Sequence, residues 1–305
     1  MPGRPSPSTA PEPALVEPTS LSTEWEDLLS RRPAFRDSLQ LYGAVLDIWS
    51  RWNPSGFPVL AWCAELCRER WERGVALIAE APPAFEREAL ESILGPILEV
   101  LGAIGEEEHE AMRRFAEGWD AGRLSVAALL PGVRKEGGAS ALAIAADIMS
   151  FVTYLGLRPP LENYFSPVRP SFSTHFWDAG YCPFCSAPPA WGDIGDDGKR
   201  WLCCALCGGR WMIGRLRCPF CDNRDGRTLT RLAGEEQEEG YLIEACDLCH
   251  NYLKGVDRRL RWNAASSLIE DWGTPHLDLI ARHRGYWRGT PSLVQLVLRD
   301  SAEGD

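Results

Sequence analysis

A multidomain, mainly α fold is predicted: a helical N-terminal bundle, then two tandem metal modules of zinc-ribbon type, then a short helical C-terminal tail. Two observations carry that expectation. Four Cys-x-x-Cys pairs fall inside one short stretch, at Cys182/Cys185, Cys204/Cys207, Cys218/Cys221 and Cys246/Cys249. Ahead of them, apolar residues recur at helical spacing, as in Phe35, Leu39, Tyr42, Val45, Leu46 and Trp49.

Taken in chain order, residues 1–22 are rich in Pro, Ser and Thr and offer little to bury, so a disordered tail is expected. Residues 23–161 read as a helical domain, with a second apolar face at Leu142, Ala145, Ile148, Met149, Val152 and Leu155. Breaks at Pro54 to Pro58, Pro82-Pro83, Pro131-Gly132 and Gly137-Gly138 divide it into about six helices. The segment Pro159 to Gly180 carries four prolines, Pro159, Pro160, Pro167 and Pro170, and reads as irregular, with the linker set at 162–180. The two metal modules occupy 181–212 and 213–257, with strands expected at Lys199 to Leu202 and Tyr241 to Glu244, each leading into a knuckle. In the tail, 258–305, Leu268-Ile269 and Leu277 to Ala281 suggest two short helices, and Leu293 to Leu298 an apolar segment that packs back on the body.

Two residues between cysteines let the backbone form a tight knuckle that aims both sulfurs at one ion, at about 2.3 Å for zinc. One knuckle fills half a tetrahedron, and consecutive pairing supplies the rest. The first site is then Cys182, Cys185, Cys204 and Cys207, and the second Cys218, Cys221, Cys246 and Cys249. The stretch is a tandem repeat, because Cys-Pro-Phe-Cys precedes Cys-x-Leu-Cys in both copies. Four-sulfur cages suit zinc and iron alike. Complete four-ligand cages lack the open position that hydrolytic metal chemistry needs.

The remaining candidates read as structural. Cys203 is a spare thiol beside the second knuckle, and His250 a surface histidine that a complete cysteine set does not require. Cys63 and Cys67, four apart, suit core packing. Glu106-x-x-His109 has di-iron spacing, but that site needs the motif twice, so a solvated helix face is expected. No Walker-type, His-Glu-x-x-His or Gly-x-Ser-x-Gly motif occurs, and neither a catalytic residue nor an enzyme is expected.

Nine of eleven cysteines lie between 182 and 249, in a chain without a recognisable export signal, which points to reduced thiolates and a cytoplasmic protein. Arg31-Arg32 is followed by Arg36, Asp37 and Asp47 instead of an uncharged run and reads as a solvated loop. The longest apolar segment, Ser140 to Leu157, contains Asp147 and falls short of the ~20 residues of a spanning helix, so no membrane insertion is expected.

The segments Tyr181-Cys-Pro-Phe-Cys185, Cys204 to Trp211, Arg215-Leu-Arg-Cys218 and above all Glu244-Ala-Cys-Asp-Leu-Cys-His-Asn-Tyr-Leu-Lys254 resemble FdhE-type formate dehydrogenase accessory proteins. Asp271, Thr274, Leu277, Asp278, Ala281, Gly285 and Tyr286 extend the likeness into the tail, whereas the helical half matches in architecture only. The resemblance implies two rubredoxin-like modules that bind two metal ions, iron or zinc, through all eight cysteines. It also implies a cytoplasmic maturation factor that contacts the formate dehydrogenase catalytic subunit before export. Ser186 and Asp222 depart from rubredoxin-type knuckles, which often place Gly there.

Two other readings compete. Lys199, Arg200, Arg210, Arg215, Arg217, Arg224, Arg227 and Arg231, interleaved with Trp201, Trp211 and Phe220, have the composition of a nucleic-acid-binding zinc ribbon. The net charge of −11 and the acidic run Glu235, Glu236, Glu238 and Glu239 oppose it. A rubredoxin-like electron carrier would need a reversible iron centre. Homodimerisation, through the tail or the modules, is left open.

Overall fold

The computed structural model describes residues 18–130, 144, 146–232 and 239–297. The breaks at 131–138, the face residues Leu142 and Ala145, Glu235 to Glu238 and all but the last five residues of the expected N-terminal tail lie outside them. Those five belong to helix α1 (Pro18–Arg31), which starts ahead of the expected boundary. Proline fits a first helical position, where no amide is needed, and Trp25, Leu28 and Leu29 supply a buried face.

The helical half continues with α2 (Gln40–Arg51), α3 (Ala64–Glu72), the single turn α4 (Leu77–Glu80), α5 (Arg87–Gly102), α6 (Glu106–Asp120), the single turn α7 (Val126–Leu129) and α8 (Ala146–Phe165). Helix α2 buries Leu41, Tyr42, Val45, Leu46 and Trp49, whereas Phe35 falls in a 3-10 turn before it.

Helix α8 overturns the expected end of the helical domain. It runs through Pro159 and Pro160 to Phe165, into the segment assigned to a linker. A helix-interior proline frees the carbonyl four residues earlier, which for Pro159 is that of Leu155. Here the Trp49 indole N–H donates to the Leu155 oxygen at 2.9 Å, so the orphaned acceptor is satisfied from α2. Trp49→Phe, which keeps the ring and removes the donor, is expected to cost about 1–3 kcal/mol in chemical denaturation. The rest of the supposed linker is also ordered, with 3-10 turns at Arg169–Ser171 and Thr174–Phe176 and buried Arg169, Phe172 and Trp177.

The two modules are not separate beads. Strands β1 (Trp191–Ile194), β2 (Arg200–Cys203) and β3 (Arg210–Met212) form one antiparallel ribbon, and β4 (Leu229–Leu232), β5 (Tyr241–Cys246) and β6 (Asn251–Asp257) the other. Parallel pairing of β1 with β6 fuses them in the order β3-β2-β1-β6-β5-β4, and β7 (Trp287–Arg288) adds to the start of β6. At the seam Gly192 faces Gly255, and a Cβ on Gly255 would stand 2.2 Å from the Gly192 oxygen. The expectation of a mainly α chain is therefore corrected to a mixed one, with a seven-stranded sheet fused to the helical half.

The tail helices α9 (Ser267–Trp272), α10 (Pro275–His283) and α11 (Leu293–Val297) pack on both halves. Trp272 stacks on Tyr42 with ring centroids 4.2 Å apart, while Leu277 and Ala281 lie against Tyr252, Val256 and Trp191 of the sheet. One core runs unbroken from α1 and α2 through α8 to the first cysteine group. Among the described residues no helix is long and apolar enough to cross a membrane.

Candidate metal centres

All four knuckles are built alike. The amide of the residue after each second cysteine donates back to the first cysteine's carbonyl: Ser186 to Cys182 at 3.0 Å, Gly208 to Cys204 at 3.1 Å, Asp222 to Cys218 at 3.1 Å and His250 to Cys246 at 2.8 Å. Closing that turn requires left-handed backbone, and these four residues have φ of 63°, 73°, 62° and 56°. Only one of them is glycine, so Ser186, Asp222 and His250 reach the geometry by holding a conformation that side chains disfavour. His250, expected as a surface histidine, is the turn residue of the last knuckle.

The knuckles meet in the consecutive pairing. Sγ atoms of Cys182 and Cys207, and of Cys185 and Cys204, are 3.5 Å apart. Those of Cys218 and Cys249, and of Cys221 and Cys246, are 3.7 Å apart. Within each group all four sulfurs lie within 4.8 Å of one another, so each could hold one metal ion. A tetrahedron with 2.3 Å metal–sulfur bonds has edges of about 3.8 Å, and the cages fit it.

Their surroundings differ sharply. The first cage is enclosed, with Cys182, Cys185, Cys204 and Cys207 all buried. The helical half grips its backbone. The Arg158 guanidinium donates to the carbonyls of Cys204 at 3.1 Å and Ala205 at 2.8 Å, and Arg169 donates to that of Cys207. The Trp71 indole and the Leu77 amide both donate to the Pro183 oxygen at 3.1 Å, and the Ile78 amide to that of Phe184 at 2.9 Å. Phe184 itself sits among Trp71, Phe165 and Phe172. Burial pushes the Cys182 and Cys185 thiols well up, so four thiolates at this place call for a cation among them.

The second cage lies open. Cys218 and Cys246 are buried, Cys249 is half-buried and Cys221 is exposed. Desolvation raises the Cys246 thiol, yet the Asn223 amide, 3.4 Å from its sulfur, and the amides of Cys249 and Leu248 outweigh it and bring the pKa to about 7. Asn223 is fixed in turn by Thr228, whose Oγ1 accepts from it at 2.7 Å.

Other cysteines stand apart. Cys203 points away from both cages, and its thiol donates to Ser267 Oγ at 3.1 Å. Cys67 is fully buried on α3, but Cys63 is exposed at the position just before the helix instead of lying on its face, which corrects the expectation of core packing for both. Glu106, Glu107 and His109 are exposed on α6, and only Glu108 of that run is buried.

Behind the second cage lies a constellation that spacing did not reveal. Lys254 Nζ, fully buried, contacts Asp278 Oδ2 at 2.7 Å and Asp271 Oδ1 at 3.2 Å and donates to the backbone oxygens of Asp271 and Thr274 at 2.7 and 3.2 Å. Arg288 reaches both carboxylates at 2.6 Å, and the Tyr252 hydroxyl donates to Asp278 at 2.6 Å. This buried quartet bolts α9, α10 and β7 to β6. Lys254, Asp271 and Asp278 are positions that carried the family resemblance, while nothing in the sequence singled out Arg288.

No protein-family model matches the chain. Curated relatives do. The chain is 37% identical over 121 residues to the protein named FdhE homolog of Stutzerimonas stutzeri, covering 38% of this chain and 39% of that protein. It is 30% identical over 148 residues to the FdhE homolog of Aquifex aeolicus, covering 47% and 50%, and 32% identical over 124 residues to that of Pseudomonas aeruginosa, covering 37% and 38%. The matches thus span half or less of each relative's length. In three dimensions the chain is similar to the crystal structure of the FdhE protein from Pseudomonas aeruginosa, with a TM-score of 0.62 over 92% of this chain and 96% of that one, at 20% identity, a likeness of fold. Over the matched stretch in sequence, and over nearly the whole chain in fold, this protein is therefore similar to the FdhE proteins.

Proposed function

We propose that this protein is an accessory factor in the maturation of formate dehydrogenase, working in the cytoplasm without catalysis of its own and holding the catalytic subunit at or beside its metal modules. The observation that carries the reading is the segment Cys246 to Lys254. It resembles the family signature, and one stretch of nine residues supplies half of the second cage and the centre of the buried quartet. Cys182, Cys185, Cys204 and Cys207 would hold one ion and Cys218, Cys221, Cys246 and Cys249 the other, zinc or iron. The ion supplies cross-linking of the ribbon, and a cage filled by four protein sulfurs offers no position to a substrate.

The chain's own residues do the remaining work. Arg158, Arg169 and Trp71 set the first module rigidly on the helical half. The second module presents its knuckle outward, with Leu248 and Trp287 exposed beside it. Exposed apolar residues next to a rigid scaffold suit recognition of a partner.

The test is an anaerobic capture of the host's formate dehydrogenase catalytic subunit by the metal-loaded full chain, with excess RNA as competitor. Capture that persists in RNA and falls in a Cys218→Ser/Cys221→Ser variant is the expected result. Retention of RNA without the subunit would assign the chain to nucleic-acid binding instead.

A further inference from the structure

Beside the open cage runs a groove of about 530 Å³, floored by β4 and β5 and walled by the segment from Arg215 to Phe220. Its charge is one-sided. Arg200, Arg215, Arg217 and Arg231 line it against a single lining carboxylate, Glu244. Arg217 is already held by Asp178 and Asp222. Arg200 and Arg231 share Glu244, at 2.6 and 3.1 Å, and Arg215 has no ion pair within 4 Å among the described residues. Arg200 is 4% exposed, yet its Nε makes no hydrogen bond. Its other nitrogens are engaged, donating to the Gly214 and Arg217 carbonyls at 3.5 and 2.8 Å as well as to Glu244, so Arg200 backs the groove from beneath and Arg215 and Arg231 face outward.

The groove is also apolar in part, through Phe220, Leu229 and the 68%-exposed Leu216. Strand β4, which contributes Leu229, Thr230 and Arg231, ends the sheet and pairs only with β5 among the described residues. Its outer edge leaves backbone donors and acceptors open to an added strand.

We infer that this groove docks an extended acidic peptide segment of a partner protein, its carboxylates meeting Arg215 and Arg231 and an apolar side chain meeting Leu216 and Phe220. The inference rests on the proposed role as a client-binding factor and names the client chemistry: an acidic, strand-forming stretch. Nucleic acid fits less well, because a polyanion needs charge spread along its path. Outside the groove Arg210 pairs with Asp193 and Arg227 with Asp225, while Arg224 shares with Arg217 the carboxylate of Asp222. Arg215, without an ion pair among the described residues, sits in a pocket that already accommodates a carboxylate, that of Glu244.

The experiment uses the full metal-loaded chain and three fluorescent probes: a nonapeptide of alternating Glu and Leu, its Lys counterpart, and a single-stranded oligouridine of equal charge. The acidic peptide should bind and the lysine peptide should not. Arg215→Glu/Arg231→Glu should weaken the acidic peptide by more than about tenfold and admit the lysine peptide. Metal content and circular dichroism of that variant should match the wild type, since neither arginine supports a cage. Leu216→Ser, at an exposed position, should weaken binding independently of charge.

Equal binding by wild type and charge-reversed variant, or no binding of the acidic peptide, overturns the inference. Tighter binding of the oligouridine through the same arginines also overturns it, in favour of nucleic acid. Run beside the capture of the catalytic subunit, the two ideas separate. Subunit capture unaffected by Arg215→Glu/Arg231→Glu keeps the client role and removes the groove from it. Peptide binding without subunit capture supports the groove and defeats the client.

Discussion

Lys254→Met is expected to lower the unfolding free energy by about 3–5 kcal/mol, because it strips a buried ion network of one partner and leaves the others uncompensated. Without Lys254, Asp271 and Asp278 keep one buried cation between them, Arg288, while the carbonyls of Asp271 and Thr274 lose their shared donor. Lys254→Met/Asp278→Asn restores charge balance and should recover part of the loss, a coupling that a double-mutant cycle in urea reads directly. A single-variant loss below about 1 kcal/mol would contradict a stabilising role for the quartet.

The pH dependence follows from the same contacts. Burial alone would raise the Asp278 carboxyl, but Arg288, then Lys254, override it and hold the group below the usual carboxylate range. A carboxyl depressed in the folded state adds stability that is present above its unfolded pKa, about 4, and is lost as pH falls through the folded value. The wild type should thus lose stability below about pH 4. Lys254→Met, with a less depressed Asp278, should show a shallower slope there.

The second large effect separates the two cages. Cys182→Ser/Cys185→Ser should abolish the first metal and unfold the junction with the helical half. Structural thiolate sites contribute on the order of 10–16 kcal/mol in finger peptides, comparable to the whole stability of a domain. Cys218→Ser/Cys221→Ser should instead leave the helical signal largely intact, because none of the second cage's four cysteines belongs to the core that holds α3, α4 and α8, against which only Phe220 of its knuckles packs. Chelator added to the wild type should remove one equivalent of metal well before the other, from the cage that exposes Cys221. Simultaneous loss of both, or equal loss of helicity in the two variants, would refute this division. Rates of metal release and the ellipticity of each variant measure it.

The groups that meet at each cage were legible because Cys-x-x-Cys spacing is a local geometric device, and local devices survive in sequence. The turn residues after the cysteines were less so. Gly208 advertises left-handed backbone, but Ser186, Asp222 and His250 do not, since their conformation is imposed by closure of the knuckle. Helix ends were misjudged where tertiary contacts overrule propensity, as where Trp49 satisfies the carbonyl freed by Pro159. The parallel pairing of β1 with β6 joins two short segments far apart in the chain, and nothing in either announces the other. Charged residues are mostly exposed, so Lys254, Asp271 and Asp278 carried no sign of burial by type. Arg158 and Arg169, which serve the first cage from the helical half, were invisible for the same reason.

The strand order has a consequence for how the chain is made. During synthesis all four cysteines of the first cage, and the helices that clasp it, emerge before residue 210, so that cage can close early. Its sheet cannot, because β1 waits for Lys254 to Asp257, the last strand of the other ribbon. Until then one edge of β1 stays unsatisfied, and loop closure across roughly sixty residues must precede the reward. The seam between the Gly192 and Gly255 backbones is therefore the point where a truncated or stalled chain would be most prone to pair with a strand that is not its own.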